Sequence, residues 1–396
     1  MTTNISQLVT IPRSLLLALW CTPLLVPAVS AQVTDTPDFA SGQAVFETDW
    51  VQAPALTKAS DGLGPYYEAH SCAACHPGGG QGKFPDSLVL VLSDDPVYGK
   101  RLQQRAVADL PAEAKLSIRI EKLRKGYSEL EAPSYSATHL SFGPLAYPGS
   151  LRLPPALQGV ALFELVPEQV LQALADPDDA NHDGISGRLT GRYGWKGETN
   201  TLRQQVGKAL AIDMGLGNSQ FPSPFGDCTA VETLCLHQAV GAEHGELEVP
   251  DPVLDLLLGY LRELSAPLPV RAHTKNDVDL FVALGCAACH MPELPTGKQS
   301  LHVWTDLLLH DMGSGLAAPR GAAVTREQPV PATAKEWRTA PLWGLGQRHH
   351  LLHDGRANTT LAAILWHGGE AEASKKAFNS ATKSQQAQLL AFLRSL

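Results

Sequence analysis

The pentapeptide Cys-Ala-Ala-Cys-His occurs twice, in "EAHSCAACHPGGG" at 72–76 and in "ALGCAACHMPELP" at 286–290. A Cys-x-x-Cys alone suits a redox disulfide or half of a zinc site. With histidine directly after it, the pattern is the attachment signature of a c-type haem. The two thiols form thioethers with the haem vinyl groups, and the histidine ligates the iron. The spacing lets one turn and the start of a helix present all three groups to one haem face. Cys72, Cys75 and His76 form the first candidate anchor, and Cys286, Cys289 and His290 the second. Each copy follows a short helix-like stretch, "SGQAVFETDW" capped by Ser41 with Phe46 inward, and "NDVDLFVALG" capped by Asn276. In the first half, "VQAPALTKASDGLGPYYEAH" separates that stretch from the cysteines.

Haem attachment belongs to an oxidising compartment, and the N-terminus agrees. Arg13 precedes the apolar run "SLLLALWCTPLLVPAV", and "VSA" at 29–31 is a small-residue cleavage site, so 1–31 reads as a removable signal peptide. Cys21 follows Trp20, where a lipoprotein signal would want a small residue. No later apolar run is long enough to span a bilayer, so an exported, soluble mature chain is expected. The remaining pair, Cys228 and Cys235, reads as a small disulfide loop. The formal net charge of −9 argues against a nucleic-acid partner.

The sixth ligands decide what two irons do. His367 closes the helical run "TTLAAILWHGG" and is the candidate for the second iron, with Met312 in "LLLHDMGSG" as rival. His353, Asp354 and Arg356 in "HDGR" suit a polar cluster at haem propionates, Arg356 pairing a carboxylate. "LPPALQGVALFELVPEQVLQALADP" parallels the His367 region but offers Ala175 or Asp176 at the corresponding place. The first iron then lacks a strong ligand from there and could bind a peroxide. Glu164, in "ALFELVP", is the candidate acid/base; its other reading is a helix-start carboxylate. Met214 and His139 are alternative ligands for the first iron.

In "DPDDANHDGISGR", Asp179, Asn181, Asp183 and Ile185 match the first half of a calcium loop, but Thr190 stands where the closing glutamate belongs. An acidic solvated turn is the competing reading. Trp195 is a candidate electron relay between haems, or a packed core tryptophan.

The stretches "FETDWVQAPALTKASDGLGPYYEAHSCAACH", "ADPDDANHDGISGR", "GRYGWKGET", "TDLLLHDMGSGLA" and "EWRTAPLWGLGQRHHLLHDGRANTTLAAILWHGGEA" resemble the bacterial di-haem oxidoreductase family, over roughly 40–396. That family, also labelled thiol oxidoreductase, is similar to di-haem cytochrome c peroxidases and the MauG enzymes. The thiol label finds no support, since every Cys-x-x-Cys is followed by histidine. The resemblance implies a mainly α protein of two cytochrome c-like helical domains, each with a covalent haem, and a periplasmic setting. It places the distal ligand of the C-terminal haem at His367. The middle segment departs from the peroxidase pattern, so Trp195 and Glu164 have no secure counterparts.

The expected organisation is an N-terminal haem domain at 32–264, a linker at 265–275 and a C-terminal haem domain at 276–396. A long irregular insert with a few short strands lies in the first, including "KLSIRIEKL". The expected function is reduction of a peroxide or similar oxidant at the first haem, with electrons received through the second from a small soluble or membrane-attached donor protein. The alternatives are a non-catalytic electron-transfer cytochrome with two six-coordinate haems, or a MauG-like or iron oxidoreductase.

Overall fold

The computed structural model describes residues 37–125, 128–242, 246–297, 299–319 and 331–396. The candidate signal peptide at 1–31 lies outside the described residues.

The first helical core is built by Pro37–Glu47, Leu202–Met214 and Asp251–Glu263. Phe39 and Phe46 lie 5.1 and 5.0 Å from the ring of Tyr260. Each such buried side chain contributes about 2 kcal/mol. Leu254, Leu257, Leu258 and Leu261 supply the apolar stripe of the third helix. Ser41 lies inside the first helix, which begins at Pro37, so it is no cap.

The second core gathers Lys275–Ala283, Thr360–Trp366, Glu372–Ser380 and Lys383–Leu393 around Phe281, Trp304, Trp337, Trp366 and Phe392. Leu389, Phe392, Leu393 and Leu396 are buried as their helical spacing requires. The cap of Lys275–Ala283 is Thr274, not Asn276: its hydroxyl accepts from Asp277 N while the Asp277 carboxylate accepts from Thr274 N. The two cores adjoin, since Leu294, Val303, Leu307, Leu308 and Trp343 from the C-terminal half pack into the first.

The insert holds more β-structure than a few short strands. Lys115–Lys125 pairs antiparallel with Ser128–Thr138 in one long hairpin. The alternation of Leu116, Ile118 and Ile120 sets its faces: Leu116 and Ile118 turn toward Leu90, Tyr98 and Leu102, while Ile120 stays exposed. A three-stranded sheet in the order Gly99–Arg101, Val89–Asp95, Ser150–Arg152 backs this third core. Cys228 and Cys235 are disulfide-bonded. No helix among the described residues is long and apolar enough to cross a membrane.

Candidate haem pockets

Each CAACH forms a single tight turn at the mouth of a cavity. Cys72–Cys75 is one α-turn, closed by His76 N donating to Cys72 O at 2.8 Å. Cys286–Ala288 is a 3₁₀ turn, and His290 N donates to Cys286 O at 3.0 Å. Gly285 starts the second turn at φ +80°, where a Cβ would also meet Ser374 Oγ at 2.7 Å. All four thiols are free. Burial pushes Cys72, Cys75 and Cys286 up to about 12, and raises Cys289 as well.

The three key histidines share one arrangement. His76 Nδ1 lies 2.9 Å from Pro155 O, His290 Nδ1 3.0 Å from Trp304 O, and His367 Nδ1 2.6 Å from Ala363 O. Burial lowers all three, His290 to about 4. Each is therefore a neutral imidazole that donates Nδ1–H to a carbonyl and keeps the Nε2 lone pair for a metal. Trp304, which orients His290, is wedged between Phe281 at 5.5 Å and Phe392 at 5.4 Å, with its own φ at +53°.

The rings of His290 and His367 stand 6.5 Å apart, centroid to centroid. Two imidazoles on opposite sides of one metal, with metal–nitrogen bonds of about 2 Å, place their centroids roughly 6.3 Å apart. The pair thus fits an iron between them. His367 is the C-cap of Thr360–Trp366, a helix capped by Thr359, whose hydroxyl accepts from Ala362 N. Met312 lines the same cavity. The cavity at His76 is the larger, about 280 Å³ against about 200 Å³, and among its described lining residues His76 is the one histidine. Met214 is in its wall, at the end of Leu202–Met214, where Gly215 and Gly64 pass too closely for any side chain.

The walls also carry guanidinium groups that have no carboxylate within ion-pair distance among the described residues. Arg152, in the His76 cavity, has an Nη2 that is buried with no hydrogen-bond partner. Arg338 and Arg348 line both cavities, and burial lowers each to about 10. Two cavities that each offer an anchor, an axial imidazole and buried guanidinium groups fit an anionic porphyrin.

The model of one protein family, described as "Di-haem oxidoreductase, putative peroxidase", matches residues 189–396. The chain belongs to the di-haem oxidoreductase family. The matched stretch includes His290, His367, Arg338 and Arg348, and begins after the first CAACH. Among solved structures, hydrazine synthase of Kuenenia stuttgartiensis under xenon pressure aligns over 100% of this chain and 98% of that chain, at 16% identity and a TM-score of 0.43. No curated protein matches the chain.

In this di-haem oxidoreductase several expected site residues lie elsewhere. Arg356 is in neither cavity wall. It forks onto Asp354 through Nε and Nη2, donates to Gly315 O, and lies 4.5 Å over Trp366. The neighbouring Asp354 satisfies it locally, so the unpaired Arg152, Arg338 and Arg348 are the guanidinium groups left for a propionate. His353 does line the second cavity, stacked 3.6 Å from Trp337. Glu164 lies outside both cavities and pairs with Arg262 at 2.9 Å. The carboxylates in the His76 cavity are Asp94, Glu198 and Asp213. His139 is exposed and lines neither cavity, and neither Ala175 nor Asp176 lines the first one.

Trp195 lines both cavities and donates Nε1–H to Leu153 O at 3.0 Å. In the acidic loop, Asp179 accepts from Gly184 N, Asn181 from Asp183 N and Asp183 from Ile185 N. These are Asx-type bonds, which stabilise a turn locally. Ser186 N and Oγ then bond Glu370, which also takes Nδ1 of His310 at 2.7 Å. Nε2 of His310 is 2.8 Å from Asp306 Oδ2. This clasp ties down the turn directly after His367. Sequence reasoning missed it, because a buried histidine between two carboxylates has no local spacing signal.

Proposed function

We propose that this protein is a periplasmic oxidoreductase carrying two covalent c-type haems, which reduces a peroxide or similar oxidant in the His76 cavity. The carrying observation is the asymmetry of the cavities. The His290 and His367 rings stand 6.5 Å apart, a spacing at which both would ligate one iron between them. The His76 cavity is larger and has no second histidine among its described lining residues.

A haem iron with an open position supplies a site where an oxidant is bound and reduced. The chain's own residues do the rest. His76 would hold the haem iron through Nε2, with Pro155 O fixing its ring at Nδ1. Glu198 and Asp213 bring carboxylates into the wall; Arg101 Nε donates to Asp213 at 2.9 Å, and Lys196 N donates to Glu198 at 3.1 Å. Reduction of a peroxide to two waters consumes two protons and two electrons, and these carboxylates are placed to pass protons. Trp195, present in both walls, offers an aromatic path for electrons that a small donor protein delivers through the His290 side.

Absorption and EPR spectra of the ferric holoprotein test this reading. One high-spin or cyanide-exchangeable haem beside one low-spin haem supports it. Two low-spin haems, inert to added ligands in every redox state, would sink it and favour an electron-transfer cytochrome with Met214 on the first iron.

A further inference from the structure

Arg338 and Arg348 stand in the partition between the two cavities and line both. Arg338 ends the strand Glu336–Arg338; its Nε donates to Gly194 O at 2.8 Å and its Nη1 to Thr339 O at 3.1 Å. Arg348 follows the turn Leu345–Gln347; its Nη1 donates to Pro341 O at 3.2 Å and its Nη2 to Trp343 O at 2.7 Å. All four acceptors are backbone carbonyls. Among the described residues neither guanidinium has a carboxylate within ion-pair distance, in contrast to Arg101, Arg188 and Arg356. The residues that share the partition with them are Gln81, Trp195, Ala340 and Pro341, none of them acidic. Buried cations are normally paired, because desolvation without a counter-charge is costly. Arg338 feels the Glu198 and Asp306 carboxylates only beyond ion-pair distance and Arg348 has burial alone acting on it, so both guanidinium groups call for closer anions, and each haem brings two propionates.

We propose that Arg338 and Arg348 are a shared counter-charge for the propionates of both haems, and that they link the two haem potentials. The inference rests on the two-haem reading above. A positive charge near an iron favours its ferrous state, which carries one positive charge fewer, so it holds the potential up. A guanidinium that answers to both haems holds up both.

The haem count of the wild-type holoprotein, from its pyridine haemochrome and intact mass, comes first. Any count other than two covalent haems removes the two-haem reading itself. With two present, potentiometric titration followed by absorption and EPR gives both midpoints. Arg348→Gln is expected to lower both by at least tenfold in the one-electron equilibrium, about 59 mV each. Arg338→Gln carries the same expectation. If only one partition variant yields holoprotein, that variant decides. A partition variant that moves one midpoint, or neither, overturns the proposal.

Discussion

The imidazoles of His76, His290 and His367 are held neutral by burial and aimed by a carbonyl at Nδ1. His367→Gly should convert one low-spin haem to high-spin while the haem count stays at the wild-type value. An unchanged spectrum would remove His367 as a ligand in favour of Met312. Glu68 gives a second prediction at this scale. It is 5% exposed, its Oε1 has no partner, and burial, with Asp213 adding to it, raises it to about 8. A carboxyl raised on folding contributes stability that is complete below its unfolded value of 4.5 and is lost as pH rises toward about 8. Wild type should lose roughly 3 kcal/mol from this group between pH 4.5 and pH 7. Glu68→Gln should therefore raise Tm at pH 7–8 and leave it unchanged near pH 4.5. A variant equally stable or less stable at pH 8 contradicts this.

Elements place these residues. Thr360–Trp366 delivers His367 from its last turn, and Thr359 fixes where that helix begins. Thr359→Ala should cost about 1 kcal/mol in chemical denaturation, with the low-spin spectrum retained. The Cys228–Cys235 loop carries Glu232 against Glu113 in the β-insert. Reducing it, or Cys228→Ser with Cys235→Ser, should cost about 2 kcal/mol, the value expected for so short a loop. Some elements were legible from periodicity. The leucine stripe of Lys383–Leu393 and the alternation in Lys115–Lys125 state their buried faces outright. Helix starts were less so. Ser41 and Asn276 have the right chemistry for caps, yet Pro37 and Thr274 begin the helices, because a start is fixed by where the preceding chain arrives.

At the scale of the whole molecule, the two cavities sit inside adjoining cores and share a partition. On the proposed two-haem reading, chain made without haem attachment would lack the centre of both. Replacing all four CAACH cysteines by alanine should give a protein that limited proteolysis degrades much faster than the holoprotein. Equal resistance would show that the cores close without the cofactor.

The sequence by itself carried the two CAACH motifs, their following histidines and the family. Those are properties of five adjacent residues and of long contiguous motifs, which no packing can rearrange. Tertiary structure decided the pairings across the chain. It set His367 against His290, retired Arg356 to Asp354 and Glu164 to Arg262, and brought Arg338 and Arg348 into a wall common to both cavities. A side chain's partner is whichever group folding brings within a few ångströms, and spacing along the chain carries no record of that distance.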